Sequence, residues 1–312
     1  MTGEGEHRSV EVTDELNGER ADIAISKLLE VSRSAAADLL NAGRVRLGKT
    51  QLSKSDRVIA GKRIDVKLPE VIDPLDFTRV TSESIQVVYE DDDVVVVDKP
   101  VGTAAHPSPG WQGPTVLGDL ISLGCRISTS GSEERKGIVQ RLDVGTSGLM
   151  VVAKNEDAYL NLKDQFRLRK VEKVYHALVQ GHMDPPEGTI DAPIGRHPRE
   201  DYRFAVVADG KPSITHFELI EYLAGTSLLR IELETGRTHQ IRVHFNALRH
   251  PLVGDLAYGA DPVLADRLEL RRPWLHAMEL AFLQPTSGKR IALSSPYPED
   301  LKRALSILTA TS

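Results

Sequence analysis

Residues 137–155 read GIVQRLDVGTSGLMVVAKN, and the order of apolar and turn residues in this stretch decides how the chain is read. The apolar residues from Gly137 to Leu142 predict a strand, Val144–Gly148 a glycine-flanked loop, and Leu149–Ala153 a second strand. A guanidinium, Arg141, and a carboxylate, Asp143, are thereby presented where two strands open into a loop, a common place for working side chains. The same residues also fit a plain hairpin turn in which Asp143 hydrogen-bonds its own loop backbone.

Working outward, further strands are predicted at Ile85 to Tyr89, Val94 to Asp98, Val174 to Gln180, Thr215 to Tyr222, Leu228 to Glu234, His276 to Phe282 and Arg290 to Ser294. Helices are predicted at Thr115 to Leu123, Asn155 to Arg169, Thr238 to Leu248 and Glu299 to Leu308. Strands and helices do not alternate regularly, so the expected class is α+β with a mixed, largely antiparallel sheet, in one domain over residues 81–312. Pro69 and Pro74 with neighbouring acids mark a linker over residues 69–80. Residues 19–68 read as a separate small α+β module. There Ala21, Ala24, Ile25, Leu28 and Leu29 recur at helical spacing, a second helix runs from a Ser32 cap to Gly43, and short strands follow. The first eighteen residues are polar and aperiodic, and are expected to form a mobile tail.

The net charge of −6 hides an uneven distribution. Between Lys27 and Lys67 stand ten Lys/Arg and four acids, a local +6 that leaves −12 for the remainder. A basic module in an acidic chain is the footprint of nucleic-acid binding, with Arg33, Arg44, Arg46 and Lys49 as candidate RNA contacts. The single cysteine, Cys125, excludes an internal disulfide and a thiolate zinc site, which fits a reducing cytoplasm. It is expected to be a buried small residue, because only Arg126 near it offers positive charge. The longest aliphatic run, Val94–Val97, is far too short to cross a bilayer. Asp91-Asp92-Asp93 reads as a solvated turn, and Trp111 and Trp274 as packing residues.

A second chemistry-bearing segment, Thr235–His244, reads TGRTHQIRVH. Ile241, Phe245 and Leu248 share one helical face, so Arg237, His239, Gln240 and Arg242 gather about a helix start, where an anion or carboxylate is favoured. A solvated polar helix start is the alternative. His239 and His244, five apart, do not share a face, so no metal site is expected there.

QRLDVGTSGLMVVAK resembles the HRLDxxTSG signature of the RluA/RluD-type ribosomal RNA pseudouridine synthases, with Gln140 standing where that family usually has His. EDDDVVVVDKPVGTAAHPSPG (Glu90 to Gly110), KVYHALVQG (Lys173 to Gly181) and GRTHQIRVH resemble the family's other motifs, in order, and residues 20–67 are similar to an S4-type RNA-binding domain. The resemblance implies that uridine is isomerised to pseudouridine, most specifically in large-subunit ribosomal RNA, by a cytoplasmic monomer without cofactor or metal. It implies Asp143 as the catalytic carboxylate, with Arg242 paired to it and Tyr175 stacked on the uracil. Arg141 would fill the space of the flipped base, and Arg237, His239 and Gln240 would bind substrate. Lys99 and His106 lie in the first motif without an assigned step. Competing readings are the same chemistry on transfer RNA, a catalytically silent ribosome-assembly factor, and a glycosidase, which would need a second acid where the motif offers arginine.

Overall fold

Ile64 and Val66 are fully buried while Arg63, Asp65 and Lys67 point outward, as the alternation in RIDVK requires of a half-buried strand. That strand organises the first of two compact units, Met1–Asp73 and Pro74–Ser312, in a computed structural model that describes residues 7–29, 31, 33–67, 85–108, 111–132, 135–200 and 203–310. The division falls inside the expected linker, whose residues 69–80 lie outside the described ones, as does Ser32.

The first unit runs β1 (His7–Glu11), α1 (Ala21–Leu28), α2 (Arg33–Asn41), β2 (Val45–Leu47), β3 (Thr50–Gln51) and β4 (Arg63–Lys67). Its sheet has the order β1-β4-β2-β3, and its core joins Ala24, Ile25 and Leu40 to Val45, Ile64 and Val66. The expected tail is therefore corrected from residue 7 onward. β1 pairs with β4 over five residues, and Val12 and Leu16 are buried in the core. A short, charged edge strand whose partner lies more than fifty residues away leaves little local periodicity to read. Arg33 is exposed at the start of α2 and also pairs within the unit. Its Nε donates to Asp22 Oδ2 (3.0 Å) while Arg20 Nε takes Oδ1 (3.0 Å), and these guanidiniums, Arg20 foremost, hold the Asp22 carboxyl down at about 2. Arg44, Arg46 and Lys49 are exposed on and beside the β2–β3 hairpin.

The second unit continues with β5 (Gln86–Glu90), β6 (Val94–Lys99), α3 (Val116–Ser122), β7 (Ser147–Ala153), α4 (Glu156–Arg167), β8 (Glu172–Gln180), β9 (Glu187–Asp191), β10 (Ile194–Arg196), β11 (Phe204–Val206), β12 (Ile214–Leu223), β13 (Thr226–Leu233), α5 (Gln240–Ala247), α6 (Pro262–Arg267), β14 (Leu275–Leu283), β15 (Arg290–Ser294) and α7 (Glu299–Thr309). Its nine-stranded sheet follows β5-β6-β7-β14-β8-β13-β12-β9, with β15 added to β14. Only the short β7–β14 pairing is parallel, so the sheet is mixed and largely antiparallel, as expected. Val95 and Val97 enter one core with Ile241 and Phe245 of α5, while Val94 and Val96 enter another with Ala158 and Leu162 of α4. The four-valine run is thus a strand covered on both faces. Thr115 and Asn155 cap α3 and α4, accepting from Gly118 N–H (3.0 Å) and Ala158 N–H (2.9 Å).

Three expectations need revision here. Gly137–Leu142 is not a strand; it touches the end of β7 only through the Ile138–Val152 bridge and Ala153 N–H donating to Gly137 C=O (3.0 Å). Of the three consecutive aspartates only Asp92 is exposed, Asp91 Oδ1 accepting from Val94 N–H (2.8 Å) and buried Asp93 from Gln284 Nε2 (2.7 Å). Cys125 is half-buried against the core, and burial pushes its thiol up. Trp274 is fully buried, as expected of a packing residue. Among the described residues no helix is long and apolar enough to cross a membrane.

Candidate active site

Gly148 begins the geometry. Its φ of +114° belongs to glycine, and a Cβ there would lie 2.3 Å from the Ala277 carbonyl oxygen, so no larger residue lets β7 lie this close to β14. The chain before β7 consequently turns sharply, closed by Thr146 N–H donating to Asp143 C=O (2.9 Å) and tied to the β6 loop by Gly102 N–H donating to Val144 C=O (2.9 Å). The Asp143 carboxylate makes no hydrogen bond to its own loop, which removes the plain-turn reading. It projects instead into a cleft of about 580 Å³ whose walls include Arg141, Tyr175, Arg237, His239 and Arg242.

Arg242, on α5, approaches Asp143 across ninety-nine residues of sequence, Nη1 to Oδ2 at 3.5 Å. Its stronger commitment is to Asp255, a bidentate pair with Nε to Oδ2 at 2.7 Å and Nη2 to Oδ1 at 2.8 Å, while its guanidinium lies 4.6 Å over the Tyr258 ring. Asp255 and Tyr258 escaped the sequence reading, since an acid and a tyrosine within GDLAYG look like ordinary loop and packing residues. His239 comes within 3.8 Å of the same Asp143 oxygen through Nε2, its backbone in the left-handed region at φ +57°. Arg141 is exposed at the cleft and pairs with no carboxylate among the described residues. Arg237 Nε donates to the Pro212 carbonyl (3.2 Å).

Gln240 is corrected. It is buried, with Oε1 accepting from Thr235 Oγ1 (2.8 Å) and Arg237 N–H (3.0 Å) and Nε2 donating to Ile214 C=O and Thr215 Oγ1 (both 2.9 Å), so it fastens α5 to β12 and has no group left for a substrate. His244 is likewise structural, engaged with Thr215 Oγ1 (2.9 Å) and the Ala192 carbonyl (3.0 Å).

Tyr175 stands in β8 between Ile231 and Ala277, buried at the cleft wall. Burial first, and the Asp143 charge second, push its phenol well above its ordinary range, so it holds its proton. Behind the loop, Lys99 is fully buried and donates to the carbonyls of Pro100 (3.0 Å) and Thr103 (2.8 Å); burial brings its ammonium down to about 7. His106 lines the cleft with Nδ1 donating to the Pro107 carbonyl (2.7 Å).

Residues 93–247 match the RNA pseudouridylate synthase family. A protein of Mycobacterium bovis named as an uncharacterized RNA pseudouridine synthase is 56% identical over 301 residues, 96% of this chain and 98% of that one. The ribosomal large subunit pseudouridine synthase D of Pseudomonas aeruginosa is 38% identical over 311 residues, covering 96% of this chain and 95% of its own. Among solved structures, human RNA pseudouridylate synthase domain containing 1 aligns with a TM-score of 0.57 at 31% identity, over 69% of this chain and 84% of that one. Because the likeness extends over nearly the whole length and its matched span carries both Asp143 and Arg242, the chain belongs to the RNA pseudouridine synthase family.

Proposed function

We propose that this enzyme isomerises uridine in large-subunit ribosomal RNA, with Asp143 as its catalytic carboxylate. The observation that carries the assignment of residues is the approach of Arg242 to Asp143 at 3.5 Å inside a cleft also walled by Tyr175. In the reaction the N1–C1′ bond breaks, the uracil turns, C5 bonds to C1′ and gives up its proton, and N1 gains one. Charge developing at C1′ calls for an ionised carboxylate, and the guanidinium beside Asp143 favours that form in a half-dry site. Extruding the uridine costs a few kcal/mol. The exposed Arg141 guanidinium is suited to occupy the vacated stack, and the Tyr175 ring to lie against the flipped uracil. Burial and the Asp143 charge favour the protonated phenol, so Tyr175 meets the uracil as a ring to stack on and a hydroxyl able to exchange a proton at C5.

The ribosomal assignment is supported by similarity to the Pseudomonas aeruginosa synthase D and by the basic S4-like unit, with Arg44, Arg46 and Lys49 exposed on it. Release of tritium from 5-tritiated uridine in large-subunit ribosomal RNA tests the reading, with transfer RNA as the parallel substrate. Release from ribosomal RNA alone is expected; release from transfer RNA alone would move the target, and none from either would contradict the function.

A further inference from the structure

Tyr258 makes two hydrogen bonds through its hydroxyl. Phe204 N–H donates to the phenolic oxygen (3.1 Å), and His239 Nδ1 lies 2.8 Å from it. The Phe204 amide can only donate, so the phenol's hydrogen has one acceptor among the described residues, His239 Nδ1. The imidazole proton is thereby assigned to Nε2, the nitrogen nearest Asp143. Phe204 and Tyr258 flank the imidazole edge-on, with ring centroids 5.7 Å and 5.6 Å away, and leave it little freedom to turn.

Both partners of Asp143 make their closest approach to Oδ2, Arg242 Nη1 at 3.5 Å and His239 Nε2 at 3.8 Å. We infer that His239, fixed by Tyr258 as the Nε2–H tautomer, presents a second N–H to Asp143 Oδ2 from 3.8 Å. Together with Arg242 it draws Oδ2 and leaves Oδ1 to the nucleoside. Tyr258 is then a positioning residue that acts through His239. The charged groups around the imidazole are Asp143 and Arg141 from the loop, Arg242 from α5 and Asp255 from the segment after it; burial outweighs the acids and keeps the ring neutral. A neutral donor adds direction to the carboxylate without a second cation that the nucleoside would have to displace. This inference rests on Asp143 being the reacting carboxylate.

Long-range ¹H–¹⁵N correlation spectra of the full-length protein read the tautomer without any substrate, the His239 signals being assigned by their loss in His239→Gln. The Nε2–H form is expected in the wild type, with the Nδ1–H form appearing in Tyr258→Phe, which keeps the ring and removes the hydroxyl. In single-turnover assays with saturating enzyme His239→Ala is expected to lose about 100-fold in rate. His239→Gln, which offers an amide N–H, should recover most of that loss, and adding Tyr258→Phe to it should cost nothing more. A wild-type Nδ1–H tautomer overturns the inference, as does a Tyr258→Phe enzyme with wild-type rate and tautomer. A wild-type protein that makes no pseudouridine would contradict the proposed function, whereas the tautomer is decided by the spectrum alone.

Discussion

Ser147, the first residue of β7 after the Asp143 loop, links that loop to a fully buried histidine. Arg272 Nη1 donates to Ser147 Oγ (3.0 Å), so the hydroxyl gives its own hydrogen to His276 Nδ1 (2.9 Å), and His276 Nε2 is left to donate to the Ser295 carbonyl (3.4 Å). Burial, foremost, brings His276 from 6.5 down to about 4. Below pH 6.5 the unfolded chain therefore takes up a proton that the folded one refuses, and stability falls as pH drops toward 4, beyond which this contribution levels off. From those two values the loss between pH 7 and pH 5 is about 2 kcal/mol. His276→Gln should remove that part of the dependence, measured as urea-unfolding free energies at the two pH values; equal slopes in variant and wild type would contradict it. At this scale the sequence told unevenly. Asp143 and Arg141 stand out because glycines frame their loop. Asp255, Tyr258 and His276 act through partners distant in sequence, and a residue's own neighbours give no sign of that. Gln240 misled for the opposite reason: a polar side chain at a helix start looks available until its four hydrogen bonds are seen.

Elements with a local signal were legible and those defined by a remote partner were not. The apolar run of β6, the alternation of β4 and the caps at Thr115 and Asn155 each determine their element within a few residues. β10 and β11, three residues each, form a small two-stranded sheet and carry no readable period. Gly137–Leu142 has strand composition but bonds to the end of β7 at Gly137 and Ile138 alone and then leaves the sheet for the cleft. β1 is the most consequential omission, since its five residues cover one edge of β4. Removing residues 1–11 should destabilise the N-terminal unit by about 1–3 kcal/mol, through lost ladder hydrogen bonds and the packing of Val10. Hydrogen exchange along Arg63–Lys67 should quicken accordingly, and unchanged protection there would restore the tail reading.

For the whole molecule, positive charge is concentrated in one stretch of the N-terminal unit. The segment 27–67, +6 in an otherwise acidic chain, is expected to supply RNA affinity, and the larger unit the chemistry. Deleting residues 1–68 should weaken RNA binding and flatten its salt dependence, the log–log slope losing roughly 0.7 for each single-strand phosphate contact removed. An unchanged slope would place the RNA contacts entirely on the larger unit. The central claim, that Asp143 is the reacting carboxylate and Arg242 its guardian, is tested most directly by single-turnover pseudouridine formation with Asp143→Asn, Arg242→Ala and the double variant. Asp143→Asn keeps the shape and removes the charge, so product should vanish while folding and RNA affinity stay near wild type. Arg242→Ala should cripple turnover, and the double variant should be scarcely slower than Asp143→Asn, because the two act as one unit. Appreciable pseudouridine made by Asp143→Asn would contradict the account.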